Sequence, residues 1–278
     1  MKIIAFVHHK GGTGKTTACL NIAGCLAKQD KKVLVVDMDP QGSATSGLGL
    51  KPNQEPSIYQ VLMGDIPIHH AIFETQSNIY LLPSTVDLFM IESRLSQSTD
   101  QAHLLRKNLV KIAHHFDVIL IDAPGGHTSL LINTIIAATG HLIVPLDSGV
   151  FAYESLETFH IFLAELATAY QVPIEIIAVL LRGELRFSSQ MAPTAKNGLK
   201  KIISSFWEKN PVPTCHYLPK SDIAAFWKTK GIEDVTIYQI PHSDDIIRSQ
   251  IAGIPVSHYA PDSEISQIYQ KITTDLIK

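Results

Sequence analysis

Residues 3–17 read IIAFVHHKGGTGKTT, an apolar run followed by a glycine-rich turn that closes on Lys-Thr-Thr and opens a helical pattern. That order of elements makes a phosphate cradle. Glycines let the backbone turn tightly with successive N–H groups facing inward, and the helix after them offers its positive N-terminal end. The expected ligand is a polyphosphate. Lys15 stands where it would reach β and γ phosphates, and the Thr16 hydroxyl where it would hold Mg²⁺, the parts a P-loop places at this spacing. One position departs from the general pattern: five residues before Gly14, where glycine is usual, the chain has His9.

Outward from this stretch, the chain reads as a buried α/β protein. Its 278 residues are 45% hydrophobic and 18% charged, enough apolar material for one large α/β domain or two small ones. A net charge of −3 argues against a wholly basic nucleic-acid binder and says nothing about a local patch. Residues 3–7 are too short for a signal peptide and run straight into the loop. No apolar run reaches the ~18 residues of a membrane span. The expectation is a cytoplasmic protein without stable membrane insertion. Cys19, Cys25 and Cys215 form neither a CxxC nor any metal-ligand spacing and read as buried small hydrophobes. His8 and His9, if extended, would point to opposite sides of a strand, which argues against a shared metal.

Residues 15–29 carry an apolar face at Ala18, Ile22 and Leu26 and predict a helix packed on a sheet. VLVVD, 33–37, is the continuous apolar run of a strand buried on both faces, so the unit is βαβ. Directly after it, Asp37-Met38-Asp39-Pro40-Gln41-Gly42 puts two acids at the carboxyl end of a strand, where open α/β sheets bind ligands. Short helices are expected near 57–63 and 66–73, a strand at 78–83 and a helix from about 100 to 114. FDVILID, 116–122, is another buried strand ending in an acid, and Asp122 fits a carboxylate that holds Mg²⁺ through its water shell. Ala123-Pro124-Gly125-Gly126 comes next. Further strands are expected at 141–147, 174–182 and 235–241, and helices at 152–169 and 262–277. Strands alternating with helices and no Pro/Gly-rich linker predict one doubly wound, mostly parallel sheet flanked by helices, a single α/β domain over 1–278.

The second lysine before the loop narrows the reading. Lys10 to Thr17, KGGTGKTT, resembles the loop K-G-G-x-G-K-[ST]-[TS] of the deviant Walker-A ATPases of the ParA/MinD type at all eight positions. The resemblance extends over nearly the whole chain. It implies a P-loop ATPase using ATP and Mg²⁺, with the nucleotide held by Gly11, Gly12, Thr13, Gly14, Lys15, Thr16 and Thr17. In the segment that looks like the family's switch I, Asp39 would orient the attacking water, with Asp37 near Mg²⁺. Ala123 to Gly126 resembles switch II, departing from the more usual second proline at Gly125 and Gly126. The tail's IP followed by AGIPVSHY resembles the adenine-side segment, with Pro241 as the base contact. Lys10 would cross to the other protomer's phosphate in a nucleotide-sandwich homodimer. The resemblance thus implies a slow, partner-stimulated ATPase switch of the short, Soj-like ParA kind. It would work in plasmid or chromosome partitioning or cargo positioning, with a protein activator or cargo adaptor.

Residues 186–230 carry Arg186, Lys196, Lys200, Lys201, Lys209, Lys220, Lys228 and Lys230 against Glu208 and Asp222. Eight bases against two acids give this stretch +6 and leave −9 for the remainder. Such asymmetry suits salt-sensitive, sequence-independent binding of double-stranded DNA, through Arg186, Lys196, Lys200, Lys201, Lys228 and Lys230. The bland alternative is that lysines coat exposed helices. Phe206, Trp207, Phe226 and Trp227 among them read as core. This region, about 186–234, looks like an insertion relative to short ParA proteins. Two other classes compare less well. A MinD-like membrane-positioning ATPase needs a terminal amphipathic helix with a basic face, and the tail ISQIYQKITTDLIK has only Lys271 and Lys278. A metallocluster carrier needs bridging cysteines, and none lies between Cys25 and Cys215.

Overall fold

The computed structural model describes residues 2–95, 99–148, 152–183, 220–233 and 235–277. Eight strands form one sheet: β1 (Lys2–Phe6), β2 (Val33–Asp37), β3 (Phe73–Glu74), β4 (Tyr80–Leu82), β5 (Val118–Asp122), β6 (His141–Asp147), β7 (Glu175–Arg182) and β8 (Thr236–Ile240). Their spatial order is β3-β4-β2-β5-β1-β6-β7-β8. All pair in parallel except the two-residue edge strand β3, which runs antiparallel to β4.

The continuous apolar runs are explained by helices on both faces. Alternate residues of one strand enter different cores: Leu34, Val36, Ile119 and Ile121 face one side, Val33, Val35, Val118 and Leu120 the other. The helices Ile58–Met63, Leu88–Leu95, Leu104–Ile112, Ser129–Ala137, Ala152–Tyr170 and Lys220–Thr229 supply the first core. Lys15–Ala27 and Glu264–Ile277 supply the second. Phe226 and Trp227 are core, as their spacing suggested. Phe206 and Trp207 lie outside the described residues.

Several boundaries differ from the sequence reading. The stretch 66–73 is a short 3-10 turn, Ile68–Ala71, followed by β3, because Pro67 and the exposed His69-His70 pair leave too few apolar positions for a longer helix. The single helix expected over 100–114 is broken at His103 into Thr99–Ala102 and Leu104–Ile112, ending in a 3-10 turn at Ala113–His115. His8 and His9 lie beyond β1 rather than in an extended strand. Their rings therefore stack, with centroids 4.8 Å apart, instead of pointing to opposite sides.

The parallel register aligns the strand ends. Phe6 and Asp37 both pair with Asp122, while Asp147 and Ile240 both pair with Arg182. The loops leaving β1, β2, β5 and β7 thus emerge along one edge, the carboxyl edge where such sheets bind ligands.

At the opposite edge, Gly140 closes the helix Ser129–Ala137 into β6 with φ +77°, and a Cβ there would lie 1.6 Å from the Pro173 carbonyl oxygen. That oxygen belongs to backbone and cannot swing aside. Gly140→Ala is expected to lower stability by about 2–4 kcal/mol, read from urea unfolding; a loss under about 0.5 kcal/mol would contradict the packing described.

Candidate functional site

The phosphate loop begins as β1 ends. Gly14 takes the left-handed conformation at φ 98° and starts the helix Lys15–Ala27 with no side-chain cap. Other helices of the chain are capped: Ser57 accepts from the Tyr59 N–H, and Thr128 from the Leu131 N–H. The loop helix leaves its first-turn N–H groups without such a side-chain acceptor, the arrangement that suits an anion.

A cavity of about 840 Å³ opens on this turn. Gly11, Gly12, Gly14, Lys15, Thr16 and Thr17 line it from one side, and Asp39, Pro124 and Gly125 from the strand-end loops. A second cavity of about 240 Å³ adjoins it and is lined by Thr13, Pro241, Ile246, Ile247 and Tyr269. Gly14, Thr17, Arg182 and Gln250 border both. Sequence-predicted residues for phosphate and base thus face two connected spaces.

Lys15 is 7% exposed, and its Nζ donates to the Lys10 carbonyl oxygen at 3.3 Å. Burial lowers its pKa, while Asp122 and Asp39 pull it back up. Asp122, at the end of β5, is fully buried and accepts a hydrogen bond from Thr16 Oγ1 on Oδ2 at 2.7 Å. Its Oδ1 is buried and finds no partner among the described residues. Burial, then the neighbouring Asp37, push its carboxyl well above the ordinary range, against Thr16 and Lys15. A buried anion with a free lone-pair oxygen is costly alone and is relieved by a cation.

Asp37 is also fully buried, but its oxygens are engaged inside its own loop. Oδ2 accepts from the Thr45 N–H at 2.8 Å and from Thr45 Oγ1 at 2.7 Å; Oδ1 accepts from the Asp39 N–H at 3.1 Å. Burial still raises its pKa to about 6. Thr45 Oγ1 in turn accepts from the Ser84 N–H, and Ser84 Oγ donates to the Asp39 carbonyl at 2.6 Å. Asp37 lines neither cavity, so its place is to shape the loop that presents Asp39. It also stands in register with Asp122 and raises that residue's pKa. Among the described residues no group of three His, Cys, Asp or Glu side chains could hold a metal by itself.

Lys10 is half-buried and does not line the larger cavity of its own chain. Lys228 and Lys230 are exposed at the end of the helix Lys220–Thr229, with Lys230 Nζ 5.6 Å from the Phe226 ring centre. Arg186, Lys196, Lys200 and Lys201 lie outside the described residues.

Three residues enter the site unannounced. Arg182 Nη1 donates to the Gly12 carbonyl at 3.3 Å; its position just after a buried strand run is a signal that could have found it. Gln250 Nε2 donates to Thr17 Oγ1 at 3.0 Å from a helix, Asp244–Ile251, that the sequence did not show. Glu92 lines the larger cavity and accepts from the Ser129 and Leu130 N–H groups.

Comparison with known proteins bears on family and fold. The sequence model of a family described as an AAA domain matches residues 1–176. The sporulation initiation inhibitor protein Soj of Bacillus subtilis is 37% identical over 157 residues, 56% of this chain and 62% of its own length. The chromosome partitioning protein ParA of Caulobacter vibrioides is 31% identical over 201 residues, 71% of this chain and 75% of its own. Among the curated relatives, several matches span only 55% to 62% of the relative's length. The structure of apo McdA from Cyanthece superposes with a TM-score of 0.74 at 22% identity, covering 100% of both chains, a likeness of fold. With well over half its length matched by the family model, the chain belongs to the ParA/MinD-type deviant Walker-A ATPases, close to the Soj-like partitioning proteins.

Proposed function

We propose that the chain is a Mg²⁺-dependent ATPase that forms an ATP-sandwich dimer and acts as a DNA-tethered switch in partitioning or cargo positioning. The observation that carries the reading is the buried Thr16–Asp122 pair, with its unpartnered carboxylate oxygen, beside an uncapped helix start and Lys15.

ATP would lie with its phosphates on the N–H groups of Gly11, Gly12 and Gly14 and on Thr17. Its base would enter the smaller cavity against Pro241. Lys15 exchanges the Lys10 carbonyl for the β and γ phosphates. The donor set fits magnesium: Thr16 offers a hydroxyl, and Asp122 a charged oxygen whose buried charge a dication would stabilise. Bound there, Mg²⁺ would neutralise phosphate charge and complete its shell with phosphate and water oxygens. Asp39 lines the cavity with one oxygen held by the Gln41 N–H at 3.0 Å, and orients the attacking water.

Lys10 reaches the phosphates of a second copy. Because that contact exists only in the dimer, ATP binding and association favour each other reciprocally. Loss of the γ-phosphate then releases both. DNA would meet the basic stretch that includes Lys228 and Lys230, by charge and without sequence preference. A protein activator or cargo adaptor would set the timing, and the cytoplasm or nucleoid is the place for this work. The helix Glu264–Ile277 is committed to the core. Its Ile265, Tyr269 and Ile272 are buried on the sheet rather than free for lipid. No helix among the described residues is long and apolar enough to cross a membrane.

Asp39→Ala is expected to bind ATP as the wild type does but to turn it over about 100-fold more slowly. Held with ATP, it should bind a random-sequence duplex with an affinity that falls steeply with salt, read by fluorescence anisotropy. Normal turnover would remove the role of Asp39, and no binding under any nucleotide would rule out the DNA tether. Lys10→Ala should keep ATP affinity and lose the ATP-dependent dimer by light scattering; an unchanged dimer would contradict the trans role.

A further inference from the structure

His9 replaces a glycine of the general loop pattern, and its side chain is built into a column of rings. On one side it stacks on His8, centroids 4.8 Å apart; on the other it stacks on His127 at 4.7 Å and 23°. The column continues from His127 to Phe162 at 4.7 Å, and from His8 to Phe159 at 5.0 Å. Both phenylalanines sit on the helix Ala152–Tyr170, and Ser155 of the same helix lies 3.3 Å from His8 Nε2. His8 Nδ1 accepts from the Lys10 N–H at 3.0 Å.

His127 belongs to the segment 123–128 that comes after Asp122 and lines the larger cavity through Pro124, Gly125 and Thr128. Two adjacent glycines give that segment little stiffness of its own, and Gly126 sits at φ +84°. It is fastened to the phosphate loop by a backbone bond from the Gly126 N–H to the His9 carbonyl, 2.6 Å, and at its far end by Glu92 on Ser129 and Leu130. The side-chain contact between the two loops at this point is His9 against His127.

We propose that His127, through its stack on His9, is a positioning residue that holds the glycine segment 123–128 against the phosphate loop in the arrangement needed for turnover. The inference deepens the ATPase reading above and rests on it. The reason is geometric. The same residue, His9, offers its carbonyl to the segment's backbone and its ring to the segment's side chain, so loss of either loosens the other.

Facing His9 are His8 and Lys10 from its own loop, Lys15 from the helix behind it, His127 from the glycine segment and Phe159 from the long helix. The two lysines add positive charge. Burial first, then His127, Lys15 and Lys10, hold His9 below its ordinary value, and burial, then His9, Lys15, Lys10 and His127, bring His8 to about 3. A histidine whose folded pKa is depressed contributes stability above its unfolded value near 6.5, lost as pH falls toward the folded value. Acid therefore loosens the contact.

The test compares wild type with His127→Ala, which removes the ring, and His127→Phe, which keeps a stacking face. Amide hydrogen exchange at Gly126, corrected for intrinsic rates, reads the loop; steady-state ATP hydrolysis reads the consequence. His127→Ala should exchange about five-fold faster and lose about five-fold in kcat with KM little changed. His127→Phe should restore both. Unchanged exchange in His127→Ala, faster exchange with unchanged kcat, or a change in KM alone would each overturn the proposal. A wild-type chain that hydrolyses no ATP would contradict the ATPase reading, and the exchange arm would still decide whether the ring holds the loop.

Discussion

A carboxylate placed where water cannot reach it sets the terms for the rest of this structure. Asp122 ends the central strand β5, flanked by β1 and β2, fully buried, with one oxygen on Thr16 and the other unpartnered among the described residues. An isolated protein interior disfavours such a group strongly. The parallel register makes the position useful, since it brings the phosphate loop after Phe6 and the acid loop after Asp37 to the same level. The proposed cation site rests on this cost, which a cation brought in by a polyphosphate would offset. Lys15, also buried and also disfavoured in its charged form, is the complementary half of that design.

The neighbouring loops are held by bonds of different kinds, and the difference bears on which of them can respond to a ligand. The loop after β2 is fixed from within: Asp37 binds Thr45, Thr45 accepts from Ser84, and Ser84 holds the Asp39 carbonyl. Asp39 is thus presented by a rigid frame. The segment after β5 is fixed from outside, by the His9 carbonyl and ring and by Glu92. Residues of both loops line the cavity, and the second carries two adjacent glycines, Gly125 and Gly126.

The fold was legible because its strands are buried on both faces and so carry unbroken apolar runs; 33–37, 141–147 and 174–182 needed almost no adjustment. The phosphate loop was legible because its chemistry is local in sequence. What escaped is what tertiary packing decides. The helices Leu88–Leu95 and Asp244–Ile251 were not part of the sequence reading, although Ser243 followed by Asp244 and Asp245 is a helix-start signal, and they bring Glu92 and Gln250 to the cavities. The histidine pair was misread because strand alternation was extended two residues past Phe6, where the chain already turns. Asp37 was set near Mg²⁺ by the family resemblance alone; the structure adds that Thr45 and Asp39 donate to its oxygens and that it stands in register with Asp122.

The central claim is that the Thr16–Asp122 pair receives the metal that accompanies a nucleotide. Calorimetric titration of ATP into the wild type and into Asp122→Asn, each with Mg²⁺ and with EDTA, tests it most directly. The wild type is expected to bind more tightly with Mg²⁺. Asp122→Asn should lose that gain while binding ATP in EDTA at least as well, since the substitution removes a buried negative charge but keeps an acceptor for Thr16. An equal gain from Mg²⁺ in both proteins would contradict the claim.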